Sequence, residues 1–205
     1  MKNKLSGKFI VLDGPDGCGK STQTQMLYEW IKQQDIEVVT FRDPGTTAIG
    51  EMIRKILLNP EHSAMSVRTE LLLYMAARAQ LWQEKIKPAL ENNKCVILDR
   101  WISSTCAYQG FAGEFGIEKV LQIAEVCLER IWPDLTIVLD VDLKTGAARL
   151  DRELDRMEQK GDEYHRKVRD GFLKLTENQN VIAIDAAQNI EQVHKEIITQ
   201  IQRGF

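Results

Sequence analysis

The chain has 205 residues, 43% hydrophobic and 28% charged, which is enough for one domain whose core needs neither disulfide nor structural metal. A net charge of −3 argues against broad, non-specific nucleic-acid binding, and no run approaches the roughly eighteen apolar residues of a membrane-spanning helix. Cys18, Cys95, Cys106 and Cys127 are scattered without a C-x-x-C pair, and the start MKNKLSGKF lacks a signal-peptide apolar stretch, so a reducing, cytoplasmic setting is expected.

Five short segments rich in β-branched residues recur: FIVLD (9–13), EVVTF (37–41), CVILD (95–99), LTIVLD (135–140) and VIAID (181–185). Their near-continuous apolar character predicts strands buried on both faces. Stretches with helical spacing lie at 20–34, 49–57, 68–91, 104–108, 117–130, 143–159, 163–177 and 190–202. Alternation of this kind reads as an α/β, doubly wound parallel sheet, whose ligands bind beyond the carboxyl ends of the strands. Four of the five segments end in Asp there.

Directly after the first segment comes Gly14-Pro15-Asp16-Gly17-Cys18-Gly19-Lys20-Ser21-Thr22, which fits G-x-x-x-x-G-K-[ST] between a strand and a helix. Its glycines let backbone N–H groups curl around a phosphate of a nucleoside triphosphate. Lys20 neutralises β/γ oxygens, and Ser21 can hold Mg²⁺. No N-K-x-D follows to read guanine, so a GTPase is disfavoured. A kinase acting on a small acceptor leads over an ATPase motor.

An acceptor site is suggested by the helical stretch 68–91. Its part Leu71-Leu72-Leu73-Tyr74-Met75-Ala76-Ala77-Arg78-Ala79 is apolar round most of its circumference. A buried Arg78 needs an anion, and Tyr74 sits one turn earlier on the same face. Two readings stand: a ring for a base beside a cation for its phosphate, or a core tyrosine beside an internally paired arginine. The third strand runs into Asp99-Arg100-Trp101, followed by Ser103-Ser104-Thr105-Cys106-Ala107-Tyr108-Gln109-Gly110, which places Asp99 near the P-loop Mg²⁺ and Arg100 in the same crevice.

Together with Arg42-Asp43-Pro44-Gly45 after the second strand, these residues resemble the thymidylate kinase family. The likeness spans nearly the whole chain, from Phe9 to the turn Asp185-Ala186-Ala187-Gln188. The resemblance implies a P-loop nucleoside monophosphate kinase fold, a five-stranded parallel sheet flanked by helices with a short helical lid near 143–162, in a single domain over 1–205. It implies transfer of the γ-phosphoryl of ATP to dTMP, giving ADP and dTDP for dTTP synthesis, with Mg²⁺, by a homodimer. Tyr74 would stack on thymine. Arg78 and Arg100 would grip the acceptor phosphate, Thr105 and Gln109 would border the base, Tyr108 would crowd the sugar 2′ position, and Asp16 would meet the 3′ hydroxyl. Lys20, Arg100 and Asp16 count among the catalytic residues.

The family commonly reads E-P-G-G-T where this chain has Asp43-Pro44-Gly45-Thr46-Thr47, and Tyr or His where Trp101 stands. Asp43 is open between an acceptor-site role and a structural turn, and Trp101 is open between site and core. Some members carry the transfer arginine inside the P-loop, where this chain has Gly17. Arg149, Arg152 and Arg156 are spaced i, i+3, i+7 and would share one face of a lid helix. Arg152 is the first choice for catalysis, Arg149 the second and an ATP ligand, while Arg156 could be tied into structure by acidic neighbours. A salt-bridged, solvated helix is the bland alternative. His62, His165 and His194 sit near no motif and are expected at the surface. Other acceptors, or a regulatory P-loop NTPase without one, are the competing functions.

Overall fold

In the computed structural model, residues 2–151 and 153–205 are described. Five strands form the sheet: β1 (Phe9–Asp13), β2 (Val38–Arg42), β3 (Cys95–Asp99), β4 (Leu135–Asp140) and β5 (Val181–Asp185). They pair in parallel in the order β2-β3-β1-β4-β5. Among the described residues the helices are α1 (Lys2–Leu5), α2 (Lys20–Lys32), α3 (Ala48–Leu58), α4 (Val67–Leu81), α5 (Lys87–Glu91), α6 (Ile102–Thr105), α7 (Ile117–Cys127), α8 (Leu143–Ala148), α9 (Asp162–Leu175) and α10 (Ile190–Gly204).

Side chains alternate across a strand, so each strand feeds two cores. Phe9, Val11, Val96, Leu98 and Val138 face one way, against Leu71 and Met75 of α4, Val120 and Ala124 of α7 and Phe172 of α9. Ile10, Leu12, Ile97, Ile137 and Leu139 face the other way, against Leu27 and Ile31 of α2 and Ile197 and Ile201 of α10. The expectation of strands buried on both faces holds for β1, β3 and β4 except at the last residues of β3 and β4. It fails for β2 and β5, which are half exposed, because they are the sheet's edges and have a neighbour on one side only.

The stretch expected to be one helix over 68–91 is a continuous path, but Trp82–Ile86 is a π-helical turn between α4 and α5. A second π-helical stretch, Cys106–Ala112, follows α6. The largest departure is at 143–159. Helix α8 stops at Ala148, and the next helical piece is the 3₁₀ turn Glu158–Lys160. Two interactions replace the helical ladder there. The backbone N–H of Arg156 donates to the Leu58 carbonyl at the end of α3. The Asp155 carboxylate accepts from the N–H groups of Met157 and Glu158, a local bond that competes with helix. Arg149 and Arg156 therefore do not share a helix face. Arg152 lies outside the described residues.

Strand order reverses beside β1, where an open sheet leaves its crevice. Register brings Leu12 opposite Asp99 and Arg42 opposite Asp99, so the polar ends of β1, β2 and β3 meet at one edge.

Candidate active site

The loop between β1 and α2 is built to receive a phosphate. Gly19 caps α2 in the left-handed region at φ 94°, with no side chain over the helix start, so the first N–H groups stay open to an anion. Gly17 also has positive φ, and a Cβ there would collide with the carbonyl of Gly146 in α8. Helix α8 thus seats on the loop at the residue where an in-loop arginine would have to leave it. Lys20 turns its ammonium onto the loop itself, donating to Gly14 O at 3.1 Å and Pro15 O at 2.8 Å. Cys18 is buried under the loop, and burial pushes its thiol up despite the nearby Lys20. It packs as a small core residue.

Asp13, which sequence reasoning passed over, organises the crevice. Its fully buried carboxylate accepts from Gly14 N, from the hydroxyls of Ser103 and Ser104 and from the Trp101 N–H. It thereby ties the start of the P-loop to the segment after β3. The signal was present as a strand-terminal Asp together with two serines, two and three residues beyond Trp101. Of the other strand-terminal acids, Asp140 forms a two-point pair with Arg169 at 2.7 Å for each bond, and Asp185 accepts from Ala187 N. Both are structural. Asp99 differs: its Oδ1 is buried without a hydrogen-bond partner, and its Oδ2 stands 3.5 Å from the Ser21 hydroxyl. A carboxylate with a free oxygen facing a hydroxyl fits Mg²⁺, which takes one or two protein oxygens and keeps the rest for phosphates and water.

Next to the loop opens a cavity whose lining includes Asp16, Asp43, Tyr74, Arg78, Arg100, Thr105, Tyr108 and Gln109. All eight residues assigned to the acceptor thus meet in one place. Arg100, at φ 67°, holds a conformation costly for a side chain of its size, a common mark of a site residue. It donates to Gly14 O at 3.0 Å and to Ser104 Oγ at 3.1 Å, pairs with Asp16, and lies over the Tyr108 ring. The Tyr108 hydroxyl donates to Asp16 at 2.8 Å. Burial alone would raise the Asp16 carboxyl, but Arg100, Lys20 and the Tyr108 hydrogen bond bring it below its ordinary value. Burial is also the main reason the Tyr74 and Tyr108 phenols sit well above theirs.

Arg78 is 1% exposed and already has a partner: Asp43, at 2.6 Å. It also donates to the Trp101 carbonyl at 3.1 Å and sits 5.2 Å from the Trp101 ring centroid. The arginine is internally paired, as the second sequence reading had it, and also lines the cavity. Burial raises the Asp43 carboxyl, with Arg78 pulling the other way. Trp101 is fully buried and packs edge-on against Phe9, which settles it as core.

Sequence reasoning missed Arg54, Asp155 and Met157, which also line the cavity. Arg54 donates to the Pro44 carbonyl at 3.1 Å, and burial with the positive field of Arg42 and Arg100 lowers its affinity for its proton. Its position, six residues into α3, carries no motif. Arg156 is buried and pairs with Glu70 of α4 at 2.6 Å, a residue far from it in sequence. Arg149 donates to the Ala186 carbonyl at 3.0 Å, which brings it to the 185–188 turn. His165 departs from the surface expectation: it lines a recess with Pro15 and Asp16, and its Nε2 lies 3.1 Å from the Glu158 carbonyl.

The family model described as Thymidylate kinase matches residues 12–197. A thymidylate kinase of Thermoanaerobacter sp. (strain X514) is 42% identical over 202 residues, covering 97% of this chain and 99% of that protein. One of Halothermothrix orenii is 42% identical over 203 residues, covering 97% and 98%. The crystal structure of thymidylate kinase from Ehrlichia chaffeensis superposes with a TM-score of 0.77 at 31% identity, covering 95% of this chain and 98% of that one. With a P-loop joined to an adjoining cavity and these likenesses across its length, the chain belongs to the thymidylate kinase family.

Proposed function

We propose that this protein transfers the γ-phosphoryl group of ATP to dTMP, yielding ADP and dTDP for dTTP synthesis. The observation that carries this reading is that Asp16 and Arg100 belong to both halves of the site. Asp16 is a P-loop residue that lines the cavity, and Arg100 lines the cavity while donating to the P-loop carbonyl of Gly14. Donor and acceptor phosphates would therefore meet without a gap.

Transfer of a phosphoryl group asks mainly for positioning and for positive charge around the migrating group. Residues 14–22 cradle the donor phosphates, and Lys20 exchanges the carbonyls of Gly14 and Pro15 for β/γ oxygens. Arg149, beside Ala186, borders the adenine end. The thymine ring lies against Tyr74, with Arg78, Thr105 and Gln109 around it, since the charge of Arg78 is already met by Asp43. Arg100, partly exposed beside Asp16, and Arg54, which donates to the Pro44 carbonyl, take the acceptor phosphate. Asp16 receives the 3′ hydroxyl, and Tyr108 fills the space a 2′ hydroxyl would need. Ser21 and Asp99 would hold Mg²⁺, which supplies charge neutralisation on the β and γ oxygens. Arg152, in a lid spanning about 143–162, brings the cation that the P-loop lacks at Gly17.

The enzyme is read as a cytoplasmic homodimer. All four cysteines are free, as a reducing compartment requires. Among the described residues no helix is long and apolar enough to cross a membrane. Ile49, Met52 and Ile56, spaced i, i+3, i+7 on α3, are 46%, 58% and 43% exposed, as is Leu72 of the adjoining α4 at 58%. An unpaired apolar face of this kind suits a second copy. Phosphorylation of dTMP, dUMP, UMP, GMP and AMP by the same preparation tests the substrate. The highest kcat/KM is expected for dTMP, and a preference for GMP or AMP would overturn the assignment.

A further inference from the structure

Glu70 lies on α4 one turn before Tyr74 and is 1% exposed. A carboxylate so buried persists only when its lone pairs are met, and three side chains from two parts of the chain meet them. Its Oε1 accepts from Gln109 Nε2 at 2.7 Å and from Lys160 Nζ at 3.1 Å. Its Oε2 takes the Arg156 guanidinium at 2.6 Å and Lys160 at 3.0 Å. Arg156 donates onward to the Leu57 carbonyl at 2.6 Å. Lys160 sits 4.7 Å from the Tyr164 ring centroid, and the Tyr164 hydroxyl donates to the Tyr108 carbonyl at 2.8 Å. One carboxylate thus fastens the segment 155–160 to the helix of Tyr74 and to the turn that carries Tyr108 and Gln109.

An ionised carboxylate only accepts, so it dictates which end of the Gln109 amide turns toward it: the NH₂ end. The carbonyl Oε1 is then the polar atom that Gln109 has left to offer the cavity it lines with Tyr74 and Thr105. A carbonyl there matches a base with a ring N–H between its carbonyls, as in thymine and uracil. It opposes cytosine, whose corresponding nitrogen is bare.

We propose that Glu70 is a positioning residue for acceptor recognition: it holds the Gln109 amide with its carbonyl toward the cavity, and through Arg156 and Lys160 it makes the seating of the 155–160 segment part of the same arrangement. This rests on the reading of the cavity as the dTMP site. Glu70 itself is not among the residues lining that cavity and acts through Gln109.

The test is kcat/KM for dTMP and for dCMP in the wild type, Glu70→Gln, Gln109→Ala and the double variant. In Glu70→Gln the new amide turns its carbonyl to Arg156 and its NH₂ group to Gln109, which must flip. The dTMP/dCMP ratio is expected to fall about tenfold in each single variant and no further in the double. A Glu70 that merely braces the fold would depress both acceptors alike, leaving the ratio in place, or would add to Gln109→Ala. Either result overturns the proposal. If Glu70→Gln does not fold, Glu70→Asp carries the same readout, since it keeps a charge opposite Arg156 and Lys160 but shortens the reach to Gln109. A wild-type enzyme inactive on dTMP would refute the function. An active one whose ratio ignores Glu70 refutes this inference alone.

Discussion

A guanidinium fully buried against a carboxylate is less free to meet a ligand anion than one that is partly exposed, as Arg100 is beside Asp16. Arg78 and Asp43 are both buried, whereas Arg54 is half-buried, donates to a backbone carbonyl and feels the fields of Arg42, Glu51 and Arg100. Arg54→Ala is therefore expected to raise KM for dTMP by about 10- to 100-fold, the scale of hydrogen bonds to a charged group, with KM for ATP little changed. Equal effects on both substrates would remove Arg54 from the acceptor site. Asp16 gives a pH prediction. Its carboxyl is held below 3.8 in the folded protein, so its contribution to stability is present above that value and is lost as pH falls through the folded pKa. In urea unfolding, the stability difference between wild type and Asp16→Asn should be full near pH 6 and shrink below pH 3.8. A constant difference would contradict the charge-paired role. The P-loop, Tyr74 and the segment from Asp99 to Gln109 were legible because their chemistry sits in contiguous residues. Arg54 and Asp13 were not, since each gains its role from partners brought by other strands and helices.

Helix period served well where an apolar stripe packs on the sheet, as in α2, α9 and α10. It failed at 149–157 because the same spacing can be satisfied outward. Arg156 turns to Glu70 and the Leu57 carbonyl, and Asp155 closes a turn of its own. The i, i+3, i+7 arithmetic therefore supports no role for Arg152. What still supports one is the P-loop, where α8 packs so closely on Gly17 that no side chain can issue from it. Arg152→Ala should lower kcat about a thousandfold, the lower range for a transfer arginine, with little change in either KM. Unchanged turnover would mean that the cation comes from elsewhere. Edge strands β2 and β5 were also misread as two-sided, because an apolar run does not reveal whether a strand has one neighbour or two.

For the whole molecule, a net charge of −3 averages over a cleft in which Lys20, Arg54, Arg78 and Arg100 converge, balanced there by Asp13, Asp16, Asp43 and Asp99. That balance explains how a mildly acidic chain can receive two phosphate-bearing nucleotides while lacking the broad basic surface that nucleic acid demands. The apolar face of Ile49, Met52 and Ile56 belongs to the same scale. Placing charge there with Met52→Asp and Ile56→Asp is expected to turn a dimer into a monomer in sedimentation velocity, and a wild-type chain that sediments as a monomer would contradict the dimer. The central claim is that donor and acceptor sites are joined, and coupled ADP release from ATP with and without dTMP tests it most directly. The account predicts slow release alone and a large stimulation by dTMP, with dTDP formed in step with ADP. Release that dTMP does not stimulate would mark a P-loop NTPase without an acceptor and contradict it.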